Sequence, residues 1–429
     1  MNHFELRGSE LVVEDVALSA IADAVGTPVY VYSSATLGRH FDVFRSAVCA
    51  HPNRLGAPLV AYAVKANSNL SVLSTLARGG AGADTVSEGE IRRALAAGIA
   101  PERIVFSGVG KTEREIAFAL EVGVRQINVE AAPELERVAR LARDRGVRAR
   151  VAFRVNPGVG AGGHAKITTG GESDKFGMTA EEALALYGEA AACPDLEPRG
   201  LACHIGSQIS DLAPLRAAFG VLRDLTATLR ARGLEVSSMD LGGGLGVPYF
   251  NQPPPPTPAD YAAMAAETVG GLSLDYVFEP GRMIVANAGV LLSRVIHIHS
   301  RPEGGRRFLV LDAAMNDLMR PALYDAFHDI RPVQPRVGAA VTVYDVVGPV
   351  CETGDTFTRG RAMAELAGGD LVAIMSAGAY GAVMSSEYNS RPLAPEVMVR
   401  GDDWAIVRPR QTYQQMIARE PAAPWLLNG

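Results

Sequence analysis

The sequence predicts an α/β + β protein: a (β/α)8 TIM-like barrel with a discontinuous C-terminal antiparallel β domain. Three observations carry this. Short apolar β-like runs alternate with Ala/Leu/Arg/Glu-rich amphipathic stretches; the alternation ends near residue 285; closely spaced Val/Ile-rich runs follow, mostly without long helices between them. Strand–helix alternation builds parallel sheets, and eight such units in roughly 225 residues match the size of a barrel. An open doubly wound sheet shares this periodicity, because alternation alone does not show closure.

Taken in order, "TPVYVYS" (27–33) is β-like and is expected to join the later sheet. The barrel strands are "LVAYAV" (59–64), "GADTV" (82–86), "RIVFS" (103–107), "QINVE" (126–130), "RVAFRV" (150–155), "GLACHI" (200–205), "SSMDL" (237–241) and "DYVFE" (275–279). Between them lie segments such as "SEGEIRRALAAG", where Ser87 and Glu90 have the spacing of a capping box and glycine marks the helix stop. Beyond residue 285, "GVLLSRVIHIHS", "RRFLVLDAA", "AAVTVYDVVGPVC" and "DLVAIMSAGAYG" suit an antiparallel sheet or a small β-barrel. The expected division is a barrel over 34–285 and a β domain made of 1–33 with 286–429. "PPPP" (253–256) reads as a rigid loop.

Composition narrows the function classes. Hydrophobic residues at 48% and charged residues at 21% are ordinary for a soluble enzyme. A net charge of −6 argues against nucleic acid or an anionic membrane as partner. No apolar run reaches about 18 residues, the length of a membrane span. The first residues lack the basic and apolar regions of a secretory signal, so a cytoplasmic location is expected. Cys49, Cys193, Cys203 and Cys351 lie far apart without a CxxC pair, which argues against a disulfide framework or thiolate zinc site. No metal is expected: His297 and His299 share one strand face without an evident third ligand.

The informative residues stand where strands end. The first strand runs into Lys65; the second is followed by Ser87-Glu88-Gly89; the sixth ends in "HIGSQ" with His204 and Ser207. The seventh runs into "GGGLG" (242–246) and the eighth into "EPGR" (279–282). Chemistry in α/β barrels sits at this C-terminal edge, where side chains from separate strands converge. Consecutive glycines let backbone N–H groups approach an anion closely, and phosphate after strand seven is a favoured arrangement. The run is not a dinucleotide fingerprint, because Val247 or Tyr249 occupies the place of the last glycine. "SGVGKT" (107–112) imitates a P-loop, but its first glycine is replaced by Val105.

Together, "YAVKANSN", "HIGSQ", "LGGGLGVPY", "EPGR", "CETGD" and "YNSRP" resemble the diaminopimelate decarboxylase family, in the alanine-racemase-like class of pyridoxal 5'-phosphate (PLP) proteins. The motifs span nearly the whole chain in family order. The resemblance implies a PLP-binding barrel plus a β domain, and a set of roles. Lys65 would anchor PLP covalently, which requires it to shed its proton. His204 would stack on the pyridine ring and Glu279 would pair with the ring nitrogen. Ser207, the Gly243 and Gly244 amides, and Gly281 and Arg282 of "EPGR" would hold the phosphate, with Asp84 and Tyr388 completing the cofactor contacts.

Cys351 would be the second catalytic residue, protonating the carbanion left by CO2 in the neighbouring subunit's site; thiols titrate near enough to neutral pH for this. A homodimer is implied, with Glu352 also contributed across the interface. Arg282, Arg320 and Tyr324 would bind the distal carboxylate of the amino-acid substrate, Glu352 its distal ammonium, and Tyr388 would contact it as well. A bidentate arginine suits a carboxylate. The implied reaction is loss of the carboxylate at the D-carbon of meso-2,6-diaminopimelate, giving L-lysine and CO2, the last step of lysine biosynthesis. An ornithine- or arginine-type decarboxylase is the alternative, and a non-catalytic regulatory homologue a more distant one. The glycine-rich stretch 158–177 after strand five is expected to act as a lid.

Overall fold

The computed structural model describes residues 2–160, 175–249, 253–301 and 305–426. Most of the lid candidate therefore lies outside the described residues. The chain forms two compact units, residues 37–285 and residues 1–36 with 286–429.

The first unit is a closed barrel of eight parallel strands: Leu59–Ala63, Gly82–Thr85, Ile104–Phe106, Gln126–Val129, Ala149–Arg154, Leu196–Ala202, Ser238–Asp240 and Asp275–Phe278. The last strand pairs with the first, Val277 opposite Leu59, which closes the sheet and excludes the doubly wound alternative. The sixth strand begins at Leu196 rather than Gly200. Pro198 breaks the β pattern in the sequence, and the ladder shifts register between Pro198 and Gly200 because proline has no N–H to donate.

The helices around the barrel start and stop on local chemistry. Thr112 with Glu115, Thr179 with Glu182, and Thr257 with Asp260 form reciprocal capping boxes, each worth about 1 kcal/mol at the cap. The Ser87 site is only half a box. Its hydroxyl accepts from the Glu90 N–H at 3.2 Å, whereas Glu90 accepts from Val86 N–H, one residue earlier. Apolar faces pack inward: Phe44, Phe219, Tyr261 and Phe278 form a tilted and edge-on aromatic cluster with centroids 5.8–6.2 Å apart. Each such buried side chain contributes about 1.5–3 kcal/mol.

The second unit is a nine-stranded sheet with a small three-stranded sheet, Phe4–Arg7, Glu10–Val13 and Val16–Ala17. Val29–Ser33 lies in its interior, antiparallel to Gly289–Ser300 and parallel to Glu396–Arg400. The predicted antiparallel sheet is thus mixed, with a second parallel pair between Arg307–Leu311 and Val341–Val347. Val13, Leu18, Ile21, Val29, Val31, Leu292, Val397 and Val399 are buried in one core. Thr356–Ala364 and the hairpin Glu396–Arg400/Asp403–Arg408 are strands the sequence reading omits.

Candidate active site

Parallel strands bring their C-terminal ends to one rim, and this rim gathers the barrel residues singled out above. The backbone tightens into a 3-10 turn over Val64–Ala66, carrying Lys65 just beyond the first strand. Lys65 Nζ lies 2.7 Å from Oδ2 of Asp84, which is fully buried on the second strand while the lysine side chain is 34% exposed. The sixth strand delivers His204 and the eighth Glu279. A cavity of about 180 Å³ is lined by these with Ser107, Asn128, Arg154, Phe176, Cys203 and Asp240. A larger groove of about 740 Å³ lies at the opposite, strand-start end, around Arg54, Arg230 and Asp275, and holds none of these groups.

The electrostatics differ among the groups. His204 accepts from the Gly243 N–H through Nδ1 at 3.2 Å, so its proton sits on Nε2. Desolvation, with Lys65 and Arg154 nearby, holds its pKa well below the ordinary histidine value, leaving a flat neutral ring. Glu279 is hydrogen-bonded to Asp240, and burial beside Asp240 and Asp84 pushes its carboxyl well above the usual range. Asp240 is itself raised to about 6 by burial, opposed by bonds from Asn128 and the Gly242 N–H. One proton shared between this buried pair satisfies both directions.

Gly243 and Gly244 occupy positions where a side chain cannot fit. A Cβ on Gly243 would lie 2.2 Å from the Glu279 carbonyl oxygen, and one on Gly244, at φ +115°, 2.7 Å from that of Gly206. The turn therefore brings bare backbone against the sixth and eighth strand ends. Arg282 donates from Nε and Nη2 to Ser207 Oγ at 3.1 Å and from Nη1 to Tyr249 Oη at 3.0 Å. Gly281 approaches the first strand end closely, since an added Cβ would meet those of Ala63 and Ala66 at 3.0 and 3.2 Å.

This donor set fits PLP. An amine stands ready for the aldehyde, an imidazole face for the ring, and the Gly244 amide with a hydroxyl and a guanidinium for the phosphate, while the Gly243 N–H is engaged by His204. The clearest sign is Glu279 Oε1, which is buried with no hydrogen-bond partner, as is Asp84 Oδ1. An acidic oxygen left so suits a cationic ring nitrogen.

The other predicted residues lie on the second unit. Cys351 and Glu352 are exposed. The Cys351 N–H donates to Asn389 Oδ1 at 2.9 Å, and the neighbouring Tyr388 hydroxyl donates to Glu352, a bond that, with the carboxylate's charge, raises the phenol's pKa. Asp355 anchors the "CETGD" turn from below, accepting from Met315 and Val350 N–H, both at 2.7 Å. Arg320 and Tyr324 open and close one short helix; Arg320 is buried and Tyr324 half-buried.

Sequence reasoning missed the polar layer beneath the cavity. Asn128 Nδ2 donates to Ser107 Oγ and Asp240 Oδ2, both at 3.1 Å, and Gln126 Nε2 donates to Asn128 Oδ1 at 2.9 Å. The signal was present in "QINVE", where alternation puts Gln126, Asn128 and Glu130 on one strand face. Above it, Arg154 donates to Glu130 at 2.8 Å and covers the Phe176 ring at 4.9 Å. Lys111, from the P-loop imitation, is a buried tie between strand ends, donating to Gly108 O, Asn128 O and Glu134 Oε1. Among the described residues there is no cluster suited to a metal and no helix long and apolar enough to cross a membrane.

Comparison with known proteins agrees with a PLP-binding barrel. Residues 42–286 match the family model described as pyridoxal-dependent decarboxylase, pyridoxal binding domain. A diaminopimelate decarboxylase of Pseudomonas aeruginosa is 50% identical, covering 99% of this chain and all of its own length. Two solved diaminopimelate decarboxylases, each complexed with L-lysine, are similar throughout. That of M. jannaschii has a TM-score of 0.93 at 34% identity, covering 99% of this chain and 98% of that one. That of Helicobacter pylori has a TM-score of 0.89 at 40% identity, covering 94% and 98%. The chain belongs to the diaminopimelate decarboxylase family of pyridoxal-dependent decarboxylases.

Proposed function

We propose that this chain decarboxylates meso-2,6-diaminopimelate at its D-carbon with PLP, yielding L-lysine and CO2. The observation that carries the proposal is the buried acidic oxygen of Glu279 beside the Lys65–Asp84 pair, at the rim of a family barrel. Lys65 binds PLP covalently, and Asp84 holds its ammonium in place until the cofactor arrives. Glu279 pairs with the ring nitrogen, its charge shared with Asp240. His204 lies against the ring as a neutral face. Ser207, Gly243, Gly244, Gly281 and Arg282 hold the phosphate. When bound, PLP supplies the sink for the electrons left as CO2 departs.

Selection and protonation draw mainly on residues of the second unit. Arg320, Tyr324 and Arg282 bind the distal carboxylate of the substrate, and Glu352 its ammonium, with Tyr388 beside both cofactor and substrate. Cys351 delivers the proton from Sγ to the carbon that loses CO2. The exposure of Cys351 and Glu352 supports a homodimer in which they serve the neighbouring subunit's site. A thiol in this role must stay reduced, which supports the cytoplasm as its compartment. Release of CO2 from meso-diaminopimelate, ornithine and arginine, measured side by side, tests the proposal. The expected result is turnover of meso-diaminopimelate with one lysine per CO2; preference for ornithine would overturn the roles of Arg320 and Glu352.

A further inference from the structure

His328 was not singled out by any motif, yet it is 2% exposed and its ring is engaged at both nitrogens. Nδ1 lies 2.8 Å from the Met375 carbonyl oxygen, and Nε2 lies 2.9 Å from Nη1 of Arg320, itself 5% exposed. The chemistry fixes the tautomer. A carbonyl can only accept, so Nδ1 carries the proton; a guanidinium can only donate, so Nε2 presents its lone pair. The ring is therefore neutral.

Its backbone is held as firmly. The His328 carbonyl accepts from Arg361 Nη2 at 3.0 Å, Arg361 Nη1 reaches Asp329 Oδ1 at 3.1 Å, and the Met375 N–H donates to Asp329 O at 2.8 Å. The imidazole thus stands on the start of strand Ile330–Pro332, which pairs with Leu371–Ile374.

We propose that His328 is a positioning residue for substrate recognition: as a neutral acceptor it fixes the plane of the Arg320 guanidinium, the group read above as the ligand of the distal carboxylate, without itself cancelling the charge. A carboxylate in this place would orient the arginine equally well but would neutralise it. A neutral acceptor orients it and leaves the cation intact. The inference rests on the reading of Arg320 as the ligand of the distal carboxylate, and it adds the residue that makes the arginine rigid before substrate arrives.

The test uses the PLP-loaded enzyme with meso-diaminopimelate. His328→Asn can still donate to Met375 O but is too short to reach Arg320; His328→Leu removes both bonds. Loss of one hydrogen bond to a charged group predicts a KM raised about tenfold or more for His328→Asn, with kcat within about twofold. The visible band of the bound cofactor should not change. Adding His328→Asn to Arg320→Ala should raise KM no further, because the histidine acts only through the arginine. If Arg320→Ala leaves KM unchanged, the reading of Arg320 fails and the inference with it. If Arg320→Ala raises KM while His328→Asn does not, or if the two effects multiply, the positioning role alone is overturned. A change confined to His328→Leu would mark the residue as structural and also overturn it.

Discussion

Replacing Gly243 with alanine tests whether the cradle at the end of strand seven is built from bare backbone. The added Cβ would meet the Glu279 carbonyl oxygen at 2.2 Å, where ordinary contact begins near 3.4 Å. The obstacle is main chain and cannot rotate aside, so the seventh and eighth strand ends must separate by about 1 Å. That moves both the Gly243 amide and the Glu279 carboxyl, the proposed partners of the cofactor's two ends. Displacement of this size costs about 10²-fold in turnover, and cofactor affinity should fall with it. The assay is PLP titration of the cofactor-free protein by visible absorbance, followed by CO2 release at saturating PLP. Gly188→Ala is the control: it lies within helix Ala180–Ala192 with nothing within 4 Å of the added Cβ, and should raise stability by about 0.5–1 kcal/mol without touching activity. A Gly243→Ala enzyme with unchanged PLP affinity and turnover would refute the cradle.

Three further outcomes are expected. Cys351→Ala should lose about 10²–10⁴-fold in kcat, the range of general acid catalysis, with little change in KM; normal turnover would end the proton-donor role. Lys111→Met strands Glu134, both side chains being at most 4% exposed, and should destabilise the barrel by about 3–5 kcal/mol in urea melts, partly restored by adding Glu134→Leu. Burial raises the Asp240–Glu279 pair above the ordinary carboxylate range in the folded state, so the folded protein keeps a proton that the unfolded chain gives up. Stability of the cofactor-free protein should therefore fall as pH rises from about 4 to about 6, and Asp240→Asn should flatten that slope; an unchanged slope would refute the assignment.

Much of the barrel site was legible because parallel strands force their C-terminal ends to one rim. Lys65, His204, the Gly242–Gly244 run and Glu279 each follow a β-like run, so their convergence follows from the register. What escaped was pairing across distance. Nothing local to Arg154 points to Glu130, or local to Lys111 to Glu134, since the partners come from different strands or helices. His328 was invisible for the same reason: a lone histidine has no pattern until Arg320 and Met375 fold against it. The omitted strand Thr356–Ala364 carries Arg359 and Arg361 at the sheet edge, where charge masks the apolar alternation that identifies interior strands.

The most direct test of the account is where the cofactor attaches. Borohydride reduction of the PLP-loaded protein makes the link permanent, and peptide mapping then locates it. The account predicts a single pyridoxyl label on Lys65, absent in Lys65→Ala. A label on another lysine, or one that persists in Lys65→Ala, would contradict it.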